Sequence, residues 1–256
     1  MDLSIVIPVR NESSNIAPLV TEIRAALDGR VDYEIVYVDD GSADDTAATV
    51  RALARDFARL RLLRHRTSCG QSAAIRTGVK AAHASLIATL DGDGQNDPAD
   101  IPRLYDLARA APPEPPLLVA GRRAKRRDTL AKRLASRIAN AVRARLLGDA
   151  TADTGCGLKV FRRELYLELP WFDHNHRFLP ALVLRQGGST VSVAVNHRAR
   201  ERGSSNYGVF DRLWVSLADL RGVMWLMRRG SKPELVVEET AAVTQQPTPR
   251  RTASGP

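Results

Sequence analysis

Apolar positions along the chain come in two rhythms, dense runs of strand length and stretches at helical spacing, and the two take turns. Residues 3–9 are apolar and rich in β-branched side chains up to Pro8, which predicts a buried strand. Asn11 to Asn15 read as a polar loop with several capping residues, after which Ile16, Leu19, Val20, Ile23 and Leu27 recur at helical spacing over 15–28. A second strand over 33–38 runs into Asp39-Asp40-Gly41-Ser42, and Asp44-Asp45-Thr46 opens a helix over 45–58. Residues 60–65 predict a third strand, 71–83 a helix and 86–90 a fourth strand. Beyond the stiff Pro112–Pro116 turn, the pattern predicts a strand over 117–120, a basic amphipathic helix over 129–147, a late strand over 189–197 and a last amphipathic helix over 209–229. From Ser231 the chain is rich in Pro, Thr, Glu, Gln and Arg, so 231–256 is expected to be a disordered tail. Strand–helix–strand alternation with short loops predicts an α/β fold, with a mainly parallel sheet and helices on both faces.

Ligands of such sheets bind beyond the carboxyl ends of the strands. Three polar clusters stand at those ends: Val9-Arg10-Asn11-Glu12, Asp39-Asp40-Gly41-Ser42 and Asp91-Gly92-Asp93. They are distant in sequence, yet the fold should bring them to one rim. Asp91 and Asp93 would share a side if the strand continued, and the glycines let a bulky ligand approach the backbone. Two hard oxygen ligands at a buried strand end suit Mg2+ or Mn2+ carrying a diphosphate, while the bland alternative is a solvated Asp-Gly turn. Asp40 has its own bland alternative, an Asx-turn that holds Gly41-Ser42.

Composition narrows the partners. A chain of 256 residues with 44% hydrophobic positions can bury the core of one sizeable α/β domain. Its net charge of +9 favours anionic partners such as nucleotides, phospholipid head groups or nucleic acid. The two cysteines, Cys69 and Cys156, make neither a disulfide framework nor a zinc spacing, and a reduced compartment is expected. The sequence suggests no signal peptide and no membrane-spanning helix.

The chain resembles the GT-A glycosyltransferases of family 2, and within them the polyprenyl-phosphate sugar transferases similar to dolichol-phosphate mannose synthase. The resemblance rests on Ile5 through Glu12, on Val38-Asp39-Asp40-Gly41-Ser42 with Asp44 and Thr46, and on Asp91 through Pro98. It continues through Asp153 to Lys159, His176-Arg177-Phe178-Leu179-Pro180, and Asn196-His197-Arg198 on to Gly203, Ser205 and Tyr207. The resemblance implies that Pro8, Val9, Asn11, Glu12, Asp40 and Gln71 bind the nucleotide-sugar together with Asp91. It further implies that Asp91, Asp93 and Gln95 hold the metal, that Arg122 pairs with phosphate, and that Asp153, Asp93 and Arg200 carry the chemistry. Arg133, Ser136, Arg137, Arg200 and Ser205 would meet the acceptor phosphate or its lipid. Against the family pattern the chain has Ala199 in place of a proline and Asn206 in place of a lysine.

Each role has a structural alternative. Asp153 could serve as a turn or cap before Gly155, His176 and His197 as structural hydrogen-bonders or catalytic groups alike, and Arg123 with Lys125, Arg126 and Arg127 as a solvated basic loop or a lipid contact. A polyprenyl monophosphate, with a second pKa near 6, is already largely ionised at neutral pH and needs less help from a base than a hydroxyl would.

The helix over 129–147 places Leu130, Leu134, Ile138, Val142 and Leu146 on one stripe, with Lys132, Arg133, Arg137, Arg143 and Arg145 around it. That pattern fits either a core-packed helix or an interfacial one meeting anionic lipid. Residues 209–230 repeat it, with Phe210, Leu213, Trp214, Leu217, Leu220, Met224 and Trp225 on an apolar side and Asp211, Arg212, Asp219 and Arg221 opposing a spanning helix. The expected organisation is a GT-A catalytic domain over 1–208, a juxtamembrane helix over 209–230 and the tail, peripheral on the cytoplasmic face of a membrane. Expected partners are a UDP- or GDP-linked sugar, a polyprenyl phosphate, an anionic membrane surface, and a membrane partner or second copy, but no nucleic acid, for which the chain carries no recognition motif. The favoured function is metal-dependent, inverting sugar transfer to a polyprenyl phosphate. Transfer to a soluble or glycan hydroxyl remains open, as does a non-catalytic nucleotide-sugar or lipid-binding module.

Overall fold

The computed structural model describes residues 1–123, 143–149, 151–200 and 209–229, the side chains of 209–217 excepted. Strand β1 (Leu3–Val9) is followed by α1 (Ser13–Leu27), β2 (Tyr33–Asp39), α2 (Thr46–Asp56), β3 (Leu60–Arg64), α3 (Gln71–Ala81) and β4 (Leu86–Thr89). A short 3-10 turn, Pro98–Asp100, leads into α4 (Ile101–Ala110) and β5 (Leu117–Arg123). Then come β6 (Lys159–Arg162), α5 (Arg163–Glu168), a second 3-10 turn (Asn175–Arg177), α6 (Leu179–Arg185), β7 (Ser189–Val195) and α7 (Val209–Arg228).

The seven strands form one sheet in the order β3-β2-β1-β4-β6-β5-β7. All neighbours are parallel except β6, which runs antiparallel to both β4 and β5. The strands of the sheet centre are apolar at nearly every position because both faces are covered. Leu3, Ile5 and Ile7 of β1 join a core with Ile16 and Ile23 of α1, Val50 of α2 and Leu104 of α4. Val6 and the alternate residues Val36 and Val38 of β2 join a second core with Ile75 of α3, Tyr166 of α5, Leu182 of α6 and Val223 of α7. Each such fully buried aliphatic side chain contributes about 1.5–3 kcal/mol of transfer free energy.

After β1 the chain adds β2 and β3 on one side and then crosses to place β4 on the other, so the direction of strand addition reverses at β1. The crevice beyond the carboxyl ends of β1 and β4 is therefore the topological switch point at which α/β sheets bind ligands.

Several expectations need correction. Residues 101–110, 159–162, 163–168 and 179–185 are elements that the sequence pattern above did not assign. Strand β7 ends at Val195 rather than at 197, and β5 runs three residues further, to Arg123. Of the helix expected over 129–147, residues 143–147 are described, and they are helical. There the apolar stripe is displaced: Leu146 is 43% exposed while Leu147 is buried. A stripe drawn every four residues drifts about 40° per step around a helix of 3.6 residues per turn, so its last member has left the buried side. Arg143, expected on the polar face, is instead partly buried against the fully buried Asp149 at 3.0 Å. In α7, Leu220 and Met224 pack on the second core, but Trp225 is 59% exposed with Arg229 over its ring. The side chains of Phe210, Asp211, Arg212, Leu213, Trp214 and Leu217 lie outside the described residues, as do Arg133, Ser136, Arg137, Ser205 and 231–256. Among the described residues no helix is long and apolar enough to cross a membrane.

Candidate active site

A cavity of about 480 Å³ opens at the switch point. Pro8 and Val9 reach it from the end of β1, Glu12 from the turn into α1, and Asp40 from just beyond β2. Gln71 enters from the first turn of α3, Asp91, Asp93 and Gln95 from the loop after β4, and Arg200 from the segment after β7. Eight expected site residues that are far apart in sequence therefore share one chamber with Arg200. Asn11, Arg122 and Asp153 do not line it.

Asn11 is a structural residue of the rim. Its backbone is left-handed, at φ 56. Its amide N–H donates to Ser42 Oγ at 2.9 Å and its side-chain oxygen accepts from Ala43 N–H at 2.9 Å, tying the β1 turn to the β2 turn. Glu12 is buried and takes a hydrogen bond from Asn15 Nδ2 at 2.6 Å and an ion pair from Arg200. Burial raises its carboxyl above the usual range, with Asp93 adding to the shift, despite Asn15 and Arg200.

Asp40 is saturated by the protein. Oδ1 faces His65 Nδ1 at 2.7 Å and accepts from Cys69 N–H at 2.8 Å, while Oδ2 accepts from Ser68 Oγ at 2.7 Å and Gly70 N–H at 2.9 Å. Burial opposes ionisation, but these donors outweigh it and hold the carboxyl below its usual value. A carboxylate has about four acceptor positions, so a nucleobase N–H would have to displace one of these donors. Asp40, His65 and Cys69 also bring three potential ligand atoms within 4.8 Å of one another, although the aspartate's acceptor positions are already in use.

Asp91 and Asp93 are the opposite case. Asp91 Oδ1 accepts one bond, from Gln71 Nε2 at 3.0 Å, and Asp93 Oδ1 one, from Gln95 N–H at 3.1 Å. Neither Oδ2 accepts a hydrogen bond from the described residues. Burial and repulsion by Asp93 push Asp91 up to about 6, against the opposing pull of Lys159, Arg123 and Gln71. Gly157 lies directly beneath: a Cβ there would run into the Asp91 carboxylate, so only glycine fits. Two hard oxygens without donors, paired in one chamber, fit a divalent cation that keeps positions for water and phosphate. Gln95 lines the chamber, but its amide nitrogen is turned to Arg198 O at 3.3 Å, which leaves its Oε1 as the remaining acceptor.

The loop carrying these groups is strapped from outside. Arg198 N–H donates to Gln95 O at 2.9 Å, Asn96 bridges to His197, and Arg198 forms a bidentate pair with Glu22 of α1 at 2.9 and 2.6 Å. Arg200, two residues on, reaches Glu12. The segment 196–200 thus fixes the loop that carries Asp91 and Asp93 and delivers a cation to the chamber.

Arg122 is exposed, and its neighbour Arg123 is the inward one, a consequence of strand alternation once β5 is seen to extend this far. Rather than belonging to a solvated loop, Arg123 grips Asp153 through Nε at 2.6 Å, Nη2 at 2.7 Å and its backbone N–H at 3.2 Å. Asp153 is buried, and that hydrogen-bonded pairing raises the Arg123 guanidinium further.

The far wall carries Lys159, to which the sequence reading gave no role, and His176, for which a catalytic and a structural role stood open. Lys159, the first residue of β6, is 4% exposed, lines the chamber and donates to Cys156 O. Burial lowers its ammonium, and the nearby Cys156, Asp91 and Asp153 only partly restore it. His176 Nδ1 lies 2.6 Å from Ser72 Oγ, which also accepts the His176 backbone N–H. Burial, with the nearby cations Lys159 and Arg177, drives the imidazole down to about 3, so it is neutral at physiological pH.

Comparison with known proteins agrees with this architecture. The family model for glycosyl transferase family 2 matches residues 4–169. The chain is 36% identical over 241 residues to a dodecaprenyl-phosphate galacturonate synthase of Rhizobium johnstonii, covering 91% of this chain and 69% of that protein. It is 34% identical over 209 residues to an undecaprenyl-phosphate 4-deoxy-4-formamido-L-arabinose transferase of Edwardsiella ictaluri, covering 81% of this chain and 63% of that one. The chain therefore spans about two thirds of the length of these curated relatives. Among solved structures it resembles glucosyl-3-phosphoglycerate synthase from Mycobacterium tuberculosis, in complex with Mn2+, UDP and phosphoglyceric acid. That match has a TM-score of 0.64 at 20% identity, over 90% of this chain and 80% of that one, and it bears out the GT-A fold. The chain belongs to glycosyl transferase family 2.

Proposed function

We propose that the protein transfers a sugar from a nucleotide diphosphate donor to a polyprenyl phosphate, with Mg2+ or Mn2+ held by Asp91 and Asp93. The observation that carries this reading is the donor-poor carboxylate pair in the switch-point chamber. The acceptor class rests on likeness to relatives named for dodecaprenyl and undecaprenyl phosphates.

In this reading Pro8, Val9 and Glu12 form the nucleoside side of the chamber, and Asp40 holds the loop that shapes it. Gln71 orients Asp91. Bound there, the cation would offset negative charge gathering on the departing nucleoside diphosphate. Arg200 supplies a positive charge on the same side, its guanidinium turning from Glu12 to a phosphate oxygen. Asp153 acts as the counter-ion that fixes Arg123 rather than as a free base, since Arg123 supplies three donors to it. That suits an acceptor already ionised at neutral pH, which must be positioned more than deprotonated. By likeness to the polyprenyl-phosphate sugar transferases, Arg133, Ser136, Arg137 and Ser205 meet the acceptor phosphate or its lipid, and the protein docks on the cytoplasmic face of a membrane.

The reading is tested by incubating the protein with membranes containing polyprenyl phosphate, Mn2+ or Mg2+, and a panel of labelled UDP- and GDP-sugars. Metal-dependent label in organic-extractable lipid is the expected result. Label confined to water-soluble product would move the acceptor to a hydroxyl compound, and no transfer from a broad panel would leave a binding module.

A further inference from the structure

The chamber changes sign along the sheet. Over β1 and β4 its lining is acidic, with Glu12, Asp91 and Asp93, whereas over β6 and the turn before α6 it is cationic, with Lys159 and Arg177. Glu12 is matched by Arg200, but neither Lys159 nor Arg177 forms an ion pair with a described carboxylate. Lys159 has three N–H donors and gives one to Cys156 O, and it is more than nine-tenths buried. A buried ammonium without a carboxylate partner is expensive to hold, by several kcal/mol in general. His176, fixed by Ser72, sits beside these cations as a neutral ring.

The order of strands gives this wall an occupant. A donor with its nucleoside over β1 and its diphosphate over the carboxylates after β4 has its sugar over the next strand, β6, which begins with Lys159. We propose that Lys159 and Arg177, with His176, form a sugar subsite built for an anionic sugar, one whose carboxylate makes the direct ion pair that the nearby Asp91 and Asp153 do not. The acceptor phosphate is the other anion of the reaction. Lys159 lies at the sheet floor, paired in register with Thr89 and Ala120, which suits a group carried in by the donor. This inference rests on the reading of the chamber as a nucleotide-sugar site.

The test is donor binding by calorimetry with Mn2+ and no acceptor. UDP and GDP are titrated first, and the one that binds sets the donor pair: UDP-galacturonate against UDP-galactose, or GDP-mannuronate against GDP-mannose. The wild type should bind the uronate at least tenfold more tightly, since each tenfold step corresponds to about 1.4 kcal/mol. Lys159→Met and Arg177→Gln should each bring the ratio towards one while leaving the affinity for the free nucleoside diphosphate unchanged. Arg177 is only partly buried, so its variant remains informative if Lys159→Met does not fold. Equal binding of both donors by the wild type would overturn the inference, as would variants that leave the ratio unchanged or weaken the nucleoside diphosphate itself. Failure of both nucleoside diphosphates to bind would overturn the underlying reading along with it.

Discussion

The ends of β2 and β4 both present an aspartate to the same chamber, and the protein treats them in opposite ways. Asp40 meets four donors from the loop that follows β3, which hold its carboxyl below the usual value. Asp91 meets one donor and a second carboxylate, and is pushed up to about 6. The difference separates two uses of a strand-end carboxylate. A satisfied one staples a loop and stabilises the fold, whereas an unsatisfied one costs stability and is kept for a partner from outside.

The largest expected effect tests the second use. Asp93→Ala should lower lipid-linked sugar transfer by about 10³-fold, the scale of several kcal/mol of lost charge stabilisation. Its melting temperature should not fall. Retained turnover would remove Asp93 from the site.

Next comes the contrast in stability. Asp40→Asn removes a charged acceptor and leaves N–H groups facing an amide, at a cost of about 2 kcal/mol in urea unfolding. Asp91→Asn should not lower stability, because it removes a disfavoured charge, yet it should lose most activity. A matching loss of stability in both variants would erase the distinction.

The pH dependence of the metal-free protein should carry the same contrast. The folded value of Asp40 lies below its reference of 3.8, so the stability it contributes is present above that reference and disappears as pH falls through the lowered folded value. The folded value of Asp91 lies above 3.8, at about 6, so its contribution runs the other way: stability declines as pH rises across that window. Urea unfolding of wild type, Asp40→Asn and Asp91→Asn in EDTA between pH 2.5 and 7 reads both slopes, and slopes of the same sign would contradict the assignment.

The smallest effect concerns the strap. Arg198 and Glu22 are each about one third exposed, so Arg198→Ala should cost about 0.5 kcal/mol of stability. Its larger consequence should be weaker Mn2+ binding, because loss of the Glu22 pair loosens the segment whose backbone carbonyl orients Gln95. Unaltered metal affinity would reduce the strap to packing.

Much of the fold and the membership of the chamber was legible in the sequence, and the parts that were not have physical reasons. The first four strands and their helices announce themselves because the sheet centre is apolar on both faces. The 101–110 helix carried a usable signal in Ile101, Leu104, Tyr105 and Ala108, with prolines near its start. Strand β6 did not, since four residues, Lys-Val-Phe-Arg, hold too little alternation to register. That omission hid Lys159, whose place in a motif gave no hint that it faces the chamber. The choice between Arg122 and Arg123 turned on how far β5 extends, which alternation decides only once the strand end is known. Asp40 and Asp91 look alike in sequence, as acidic residues at strand ends beside glycine. What separates them is the 65–70 loop folding back over one and not the other, a tertiary event no local pattern encodes.

The most direct measurement is Mn2+ binding in the presence of the nucleoside diphosphate, followed by electron paramagnetic resonance, for wild type, Asp93→Ala and Asp40→Asn. The account predicts that Asp93→Ala binds Mn2+ at least tenfold more weakly, a loss of about 1.4 kcal/mol or more, while folded Asp40→Asn binds it as the wild type does. Normal binding by Asp93→Ala together with loss in Asp40→Asn would move the metal to the Asp40 cluster and contradict it.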